Sequence, residues 1–269
     1  MHPVLFKIPF LNLTIHSYGF LLAIGFVSAI IYSMRMGKKD NIDSKTLIDL
    51  IFWSIVVGLI GSKLFLLVTE LKIYLNDPKK LLLLIRSAGT FYGGLIFGSL
   101  FAIWFIKKKQ LPMGKVADII GPAVALAHFF GRLGCLSAGC CWGRPCPHFP
   151  GMVFSHKDLQ TGVPTGVQLY PTQLAEALLN LLNFIFLYFM YRRRKFAGQI
   201  FILYIFNYSI IRFIIEYFRG DLDRGYVFGG VTHPFSSLSV PQLISILGII
   251  LALILYRRAI GKQKKGADS

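Results

Sequence analysis

Charge is scarce in this sequence. Charged residues make up 15% of the 269, while hydrophobic residues reach 55%. A soluble globular domain carries about 25% charged residues, so the deficit excludes an ordinary soluble fold and places the chain in a bilayer. Acids are scarcest: 12 Asp and Glu stand against 29 Lys and Arg, for a net charge of +17. That excess does not point to nucleic acid, because the cations come in short clusters between apolar runs and not on one continuous face. There is no Walker loop, and no glycine loop lies between a strand and a helix, which removes the nucleotide fingerprints. No internal repeat or pair of broken helices is visible, which disfavours a transporter. Only Lys7 precedes the first apolar run, with no small-residue cleavage site, so no cleavable signal peptide is expected.

What is present is apolar sequence in span-sized pieces. Seven runs approach the ~20 residues that a bilayer requires: 18–34, 46–67, 89–106, 116–134, 169–191, 198–218 and 239–256. The expectation is an all-α polytopic membrane protein with seven transmembrane helices, forming one integral-membrane domain over 1–269. Arg35, Lys38, Lys39 and Lys45 follow the first run, Lys107 to Lys109 and Lys115 the third, Arg192 to Lys195 the fifth, and Arg257 to Lys265 the last. Cation-rich loops stay in the cytoplasm. This predicts an outside N-terminus, a cytoplasmic C-terminus with a basic tail at 257–269, and outward loops at 68–88, 135–168 and 219–238.

The fourth run ends in polar chemistry that lipid normally excludes. The stretch AHFFGRLGCLSAGCCWGRP, 127–145, holds Arg132, Arg144, four glycines and three of the four cysteines. Ionisable groups at such depth usually face a protein interior or a wet cavity and carry function. In the fifth run, Gln173, Glu176, Asn180 and Asn183 are spaced 3, 4 and 3 apart, on one helical face. In the sixth, Tyr208, Arg212, Glu216 and Arg219 are spaced 4, 4 and 3, again on one face. His128 and Arg132 are four apart. Asn180 and Asn183 fit interhelical hydrogen bonding, and Arg212 with Glu216 fits a buried structural pair. Arg132, Arg144 and Arg219 outnumber the nearby acids, and the guanidinium fork binds phosphate oxygens in bidentate fashion. These stripes favour a lipid-headgroup site toward the outer leaflet.

Glycines at Gly93, Gly94, Gly131, Gly134, Gly139 and Gly143 serve either close backbone approach or helix packing. The cysteines, Cys135, Cys140, Cys141 and Cys146, fall within twelve residues. In an oxidising compartment one or two disulfides would staple this loop, with Cys135–Cys140 or Cys141–Cys146 favoured over the adjacent pair. The spacing C-x4-CC-x4-C, with His148 nearby, lacks the C-x2-C elements of structural zinc, so no metal is assigned. A catalytic thiol is the third reading. His148, His156 and His233 read as loop residues.

Together these motifs resemble the prolipoprotein diacylglyceryl transferase family. The carriers are Ile15-His16-Ser-Tyr18-Gly19, Tyr92-Gly93-Gly94-Leu95, and Gly131-Arg132-Leu-Gly134 followed by Gly143-Arg144-Pro145. Tyr170-Pro171-Thr172-Gln173-Leu174-Ala-Glu176, Arg212-Phe-Ile-Ile-Glu216-Tyr-Phe218-Arg219 and Val240-Pro241-Gln242-Leu243 follow in the family's order, so the likeness runs from about 15 to 256. The resemblance implies a multi-pass transferase of the bacterial inner membrane, acting on the periplasmic side in lipoprotein biosynthesis. It would move the diacylglyceryl group of phosphatidylglycerol to the lipobox cysteine of a prolipoprotein signal peptide, releasing glycerol phosphate and using no cofactor.

By this resemblance Arg132, Arg212 and Arg219, with Arg144 a weaker member, meet the phosphate. Tyr18 and Gln173 orient the headgroup, with Gly93, Gly94 and Gly143 in the substrate site. Glu216 holds Arg212 across one helical turn. The chain departs from the family at Tyr92, where His is usual, at Cys135, where Asn is usual, and at Lys63 in place of Arg. A His side chain near pKa ~6.5 accepts a thiol proton readily, whereas a Tyr near ~10 is a poor base. Tyr92 is therefore either catalytic or a lipid-orienting residue, with His16, His128 and Glu216 as other candidate bases. A lipid-binding paralog with a different acceptor or none, and a membrane thiol-redox protein, are the alternative functions.

Overall fold

The computed structural model describes residues 3–8, 13–77, 81, 84, 89–148, 150–155, 161–221, 225–229 and 236–267. His156 and His233 lie outside them. Seven helices are long and apolar enough to cross a membrane, as the hydropathy runs predict. They are α1 (Ser17–Lys39), α2 (Ser44–Thr69), α4 (Phe91–Lys108), α5 (Met113–Ala138), α6 (Thr172–Tyr191), α7 (Gln199–Glu216) and α8 (Val240–Ala267), with a short α3 (Leu71–Asn76) between the second and third. Three two-stranded antiparallel pieces were not foreseen: β1 (Val4–Ile8) with β2 (Leu13–His16), β3 (Met152–Val153) with β4 (Gln168–Leu169), and β5 (Tyr226–Phe228) with β6 (Leu238–Ser239). The first precedes α1 and the other two lie in connections between helices, where loop backbone must find partners.

Two helix ends differ from the sequence reading. The first residues expected in the 135–168 loop, through Ala138, complete the last turn of α5. The basic tail at 257–269 continues α8 as helix through Ala267, because Lys, Arg and Gln are good helix formers and cations suit a helix C-terminus.

The chain divides into two compact units, residues 32–116 and residues 1–31 with 117–269. In the first, α2 begins at Asp43, whose carboxylate accepts both the N–H and the hydroxyl of Thr46 at 2.9 Å. These bonds favour the charged form and hold the Asp43 pKa below its ordinary value. Helices α2 and α4 approach through small residues: a Cβ at Gly58 would lie 3.1 Å from the Gly94 carbonyl oxygen, and one at Gly98 3.1 Å from that of Ser54. This is the small-residue packing expected where lipid supplies no hydrophobic drive between helices. Thr90, just before α4, donates its N–H and hydroxyl to the Ser62 carbonyl at 3.1 and 3.3 Å.

The larger unit is held by polar contacts between apolar helices. Asn207 on α7 donates to Asn183 on α6 at 2.9 Å, the interhelical role its spacing suggested, while Asn180 turns back to the Glu176 carbonyl at 2.8 Å. Asp118 on α5 is fully buried and caps the start of α7, accepting the N–H groups of Gly198 and Ile200 at 2.8 Å and Phe201 at 3.1 Å. Helix α8 opens with a reciprocal capping box: Ser239 N–H donates to Gln242 Oε1 at 3.0 Å and Gln242 N–H to Ser239 Oγ at 3.3 Å. Large apolar side chains such as Phe189, Leu182 and Leu247 stay exposed, while Gln173, Glu176, Asn180 and Asn183 are buried. That inverted pattern suits a lipid surround.

Candidate functional site

The three polar stripes meet in the larger unit. The end of α5 brings His128 and Arg132, the start of α6 brings Gln173 and Glu176, and the end of α7 brings Tyr208, Arg212 and Glu216. Glu176 is the hub. Its side chain, 1% exposed, lies 3.0 Å from Arg132 Nη2, 3.7 Å from Arg212 Nη1 and 3.8 Å from His128 Nε2. Glu216 Oε2 lies 2.7 Å from Arg212 Nη2 in an ion pair, the i, i+4 pair expected from the sequence. Arg132 Nε donates to His128 Nε2 at 3.2 Å, which makes that nitrogen an acceptor and fixes the imidazole tautomer. The His128 ring lies 5.1 Å from that of Tyr208.

Among the described residues Arg212 Nη1 makes no hydrogen bond, and neither does the buried Gln173 Oε1. A buried donor without a partner costs about 1–3 kcal/mol. Such groups stand ready for a ligand offering an anionic acceptor and a hydroxyl donor.

A second layer assembles from loop backbone. Gly143 bridges to Arg219 and Pro145 to Leu169, and Arg144 N–H donates to the Phe218 carbonyl at 2.8 Å. A Cβ at Gly143 would fall 2.3 Å from the Tyr170 carbonyl oxygen, so only glycine fits this crossing of three segments. Arg144 Nε donates to the Arg219 carbonyl at 2.9 Å. Arg219, nearly buried, is clasped by Asp221 through Nε at 2.8 Å and through Nη2. Burial works against its charge, but the Asp221 carboxylate outweighs burial and holds the Arg219 pKa above its ordinary value. Gln173 Nε2 donates to the Cys140 carbonyl at 2.8 Å and the Thr172 hydroxyl to that of Cys141 at 3.0 Å, which ties the cysteine loop to α6.

Seven of the predicted site residues thus fall into two groups. Arg132, Gln173, Arg212 and Glu216 gather around Glu176, and Gly143, Arg144 and Arg219 form the adjoining loop layer. Tyr18, at the start of α1, packs on α5, its Cδ2 lying 3.0 Å from where a Cβ on Gly134 would stand. Tyr92, Gly93 and Gly94 belong to the other unit, where the two glycines lie against α2 and Tyr92 is 39% exposed, edge-on to Phe91 with ring centroids 5.7 Å apart. Glu176 was not among the residues the sequence singled out as functional, although its place on the 3, 4, 3 stripe of the fifth run carried the signal. All four cysteines are free thiols. Neither expected disulfide pairing is present: Cys146 Sγ donates to the His148 carbonyl at 2.9 Å instead.

The family model for prolipoprotein diacylglyceryl transferases matches residues 3–258. A phosphatidylglycerol–prolipoprotein diacylglyceryl transferase of Clostridium tetani is 32% identical over 256 residues, covering 95% of this chain and 97% of that protein. A second such transferase of Clostridium perfringens is 32% identical over 91% of both chains. One from Lactobacillus acidophilus is 30% identical over 98% of this chain and 92% of its own. The chain belongs to the prolipoprotein diacylglyceryl transferase family.

Proposed function

We propose that this protein transfers the diacylglyceryl group of phosphatidylglycerol to the lipobox cysteine of a prolipoprotein, the first step of lipoprotein maturation. The observation that carries the reading is the buried cluster around Glu176, with Arg212 Nη1 and Gln173 Oε1 making no hydrogen bond among the described residues. A glycerol phosphate headgroup offers both complements: phosphate oxygens for the guanidinium and a hydroxyl for the amide oxygen.

In the reaction the cysteine thiolate attacks the diacylglyceryl carbon that bears the phosphoester. A carbon–sulfur bond forms, the carbon–oxygen bond breaks, and its electron pair leaves on the oxygen of glycerol phosphate. The phosphate changes from a diester monoanion to a monoester dianion. Arg132 and Arg212 meet this growing charge, which is where preorganised cations accelerate a reaction most. Glu176 and Glu216 hold the two guanidiniums in place and partly neutralise them, so the cluster tolerates burial before the lipid arrives. Arg219, kept charged by Asp221, and Arg144 add positive potential from the loop layer. Tyr18 and Gln173 orient the headgroup, and Tyr92 acts on the lipid or the thiol from the start of α4.

The clusters of Lys and Arg support an outside N-terminus and a cytoplasmic C-terminus. The end of α5, the start of α6 and the end of α7 then share the outer side of a bacterial inner membrane, facing the exported prolipoprotein. The test is transfer from labelled phosphatidylglycerol to a lipobox peptide by the purified protein, with a Cys→Ser peptide as control. Label on the cysteine peptide alone is the expected result. Lipid binding with no label would instead make this a paralog with another acceptor or none.

A further inference from the structure

The transfer reaction makes no use of the thiols that close the end of α5. The Sγ atoms of Cys135, Cys140 and Cys141 all lie within 4.8 Å of one another, each partly buried. They are brought together by local backbone. Cys140 N–H donates to the Cys135 carbonyl at 3.1 Å, closing the helix end, and Gly139 and Cys141 take left-handed conformations at φ 75 and 59°. A left-handed φ at a non-glycine residue is uncommon and is held here by neighbours: the Thr172 hydroxyl donates to the Cys141 carbonyl at 3.0 Å and Gln173 to that of Cys140 at 2.8 Å. The sequence spacing concealed this, because a C-x4-CC run becomes a three-sulfur face only when the chain reverses at Gly139.

We propose that Cys135, Cys140 and Cys141 form a three-thiolate site for a thiophilic closed-shell cation, with Cu(I) the best match. Metal–sulfur bonds of about 2.3 Å in a trigonal site require sulfurs about 4 Å apart, so the thiols need close by less than about 1 Å. Three soft thiolates select Cu(I) over harder cations. Zinc prefers four ligands, and among the described residues no fourth His, Cys or carboxylate joins this group. Each ligating thiol gives its proton to solvent, and Cu(I) with three thiolates carries a net charge of −2. Two cations face that charge: Arg132 and Arg219 both act electrostatically on Cys141, and Arg132 also on Cys135. The site shares Arg132 and Arg219 with the proposed phosphate site, but its three sulfur ligands take no part in the transfer step.

The test uses the purified, reduced full-length protein in detergent under anaerobic conditions. Cu(I) is titrated against a chromophoric chelator, and the loaded protein is measured by X-ray absorption. One Cu(I) per chain with three sulfur ligands is expected. Cys135→Ser and Cys141→Ser each weaken binding at least 100-fold, whereas Cys146→Ser, outside the cluster, leaves it unchanged. Substoichiometric binding, a two-sulfur or nitrogen-rich ligand set, or equal affinity in all three variants would overturn the proposal. So would Zn(II) binding more tightly than Cu(I). The wild-type sulfur count decides the matter even if a serine variant fails to fold.

Discussion

Glu176 reaches Arg132 at 3.0 Å from a different helix while its own side chain is 1% exposed. One carboxylate therefore stands between two largely covered guanidiniums, since Arg212 Nη1 lies 3.7 Å from its other oxygen. Removing it leaves two cations facing each other out of water. A buried pair broken on one side costs about 3–5 kcal/mol. Glu176→Gln is expected to destabilise the protein by that order, and adding Arg132→Gln restores part of the loss. Thermal unfolding of the two single variants and the double variant in one detergent checks this. Additive losses would mean that the pair contributes nothing as a pair.

Arg132→Ala breaks the Glu176 pair as well, so its chemistry is read on the folded fraction. A charged hydrogen bond to the leaving phosphate is worth about 2 kcal/mol, which is about 30-fold in kcat/KM. The loss is expected in kcat as well as KM, because the phosphate gains charge as the carbon–oxygen bond breaks. Steady-state transfer to a lipobox peptide measures both. Unchanged turnover would remove Arg132 from the phosphate site.

The seven spans were legible because lipid imposes one simple rule, long apolar runs, and α1, α2 and α4 through α8 obey it. The Arg212–Glu216 pair was legible for an equally local reason, since both residues sit on one helix four apart. The hub at Glu176 was not, because its partners come from α5 and α7 and no spacing within α6 reveals them. The cysteines mark the other limit. Their reading as disulfides rested on compartment and spacing, whereas their arrangement depends on a left-handed Cys141 and on hydrogen bonds from Thr172 and Gln173. The small hairpins were equally hidden, being two to five residues per strand.

Gly143 sits where loop backbones cross, and an alanine there would place its Cβ 2.3 Å from the Tyr170 carbonyl oxygen. The bridge to Arg219 must then open. Gly143→Ala is expected to lower transfer about 10-fold or more while the spans remain inserted and helical, because the displacement reaches Arg144 and Arg219 but no transmembrane helix core. Gly131→Ala is the steric control for folding: nothing lies within 4 Å of its added Cβ, and alanine is the better helix former. Its unfolding temperature is expected to equal or exceed that of the wild type. Circular dichroism and the transfer assay together read both outcomes.

Asp118 joins elements far apart in sequence by accepting three N–H groups at the start of α7. Asp118→Asn replaces one acceptor oxygen with a donor that faces those same N–H groups. With hydrogen bonds to a charged acceptor worth about 1.5–3 kcal/mol, a loss of about 2 kcal/mol in stability is expected. Asp118 lies in the first turns of α5, whereas Arg132 and His128 lie toward its end, so the folded fraction keeps its transfer rate. A lowered unfolding temperature with wild-type kcat is the expected signature. A large fall in kcat at unchanged stability would contradict this structural role.

Tyr92 stands where the resemblance implies a His, and the structure permits a clean separation of packing from chemistry. Its ring meets Phe91 edge-on at 5.7 Å and is 39% exposed, so Tyr92→Phe keeps the ring contact and removes only the hydroxyl. If that hydroxyl binds the lipid or the thiol, the loss of one hydrogen bond worth about 1.4 kcal/mol lowers kcat/KM about 10-fold at every pH. Tyr92→His replaces the hydroxyl with a group of ordinary pKa ~6.5, able to accept a thiol proton. An acid limb with a midpoint near that value is expected to enter the pH profile of kcat, and the wild type is expected to lack it. The two variants together decide the residue's part: a uniform loss in Phe without a new limb in His makes Tyr92 a lipid-orienting residue. A new limb with recovered rate instead places the proton acceptor at this position, and wild-type kinetics in Tyr92→Phe would remove it from the reaction.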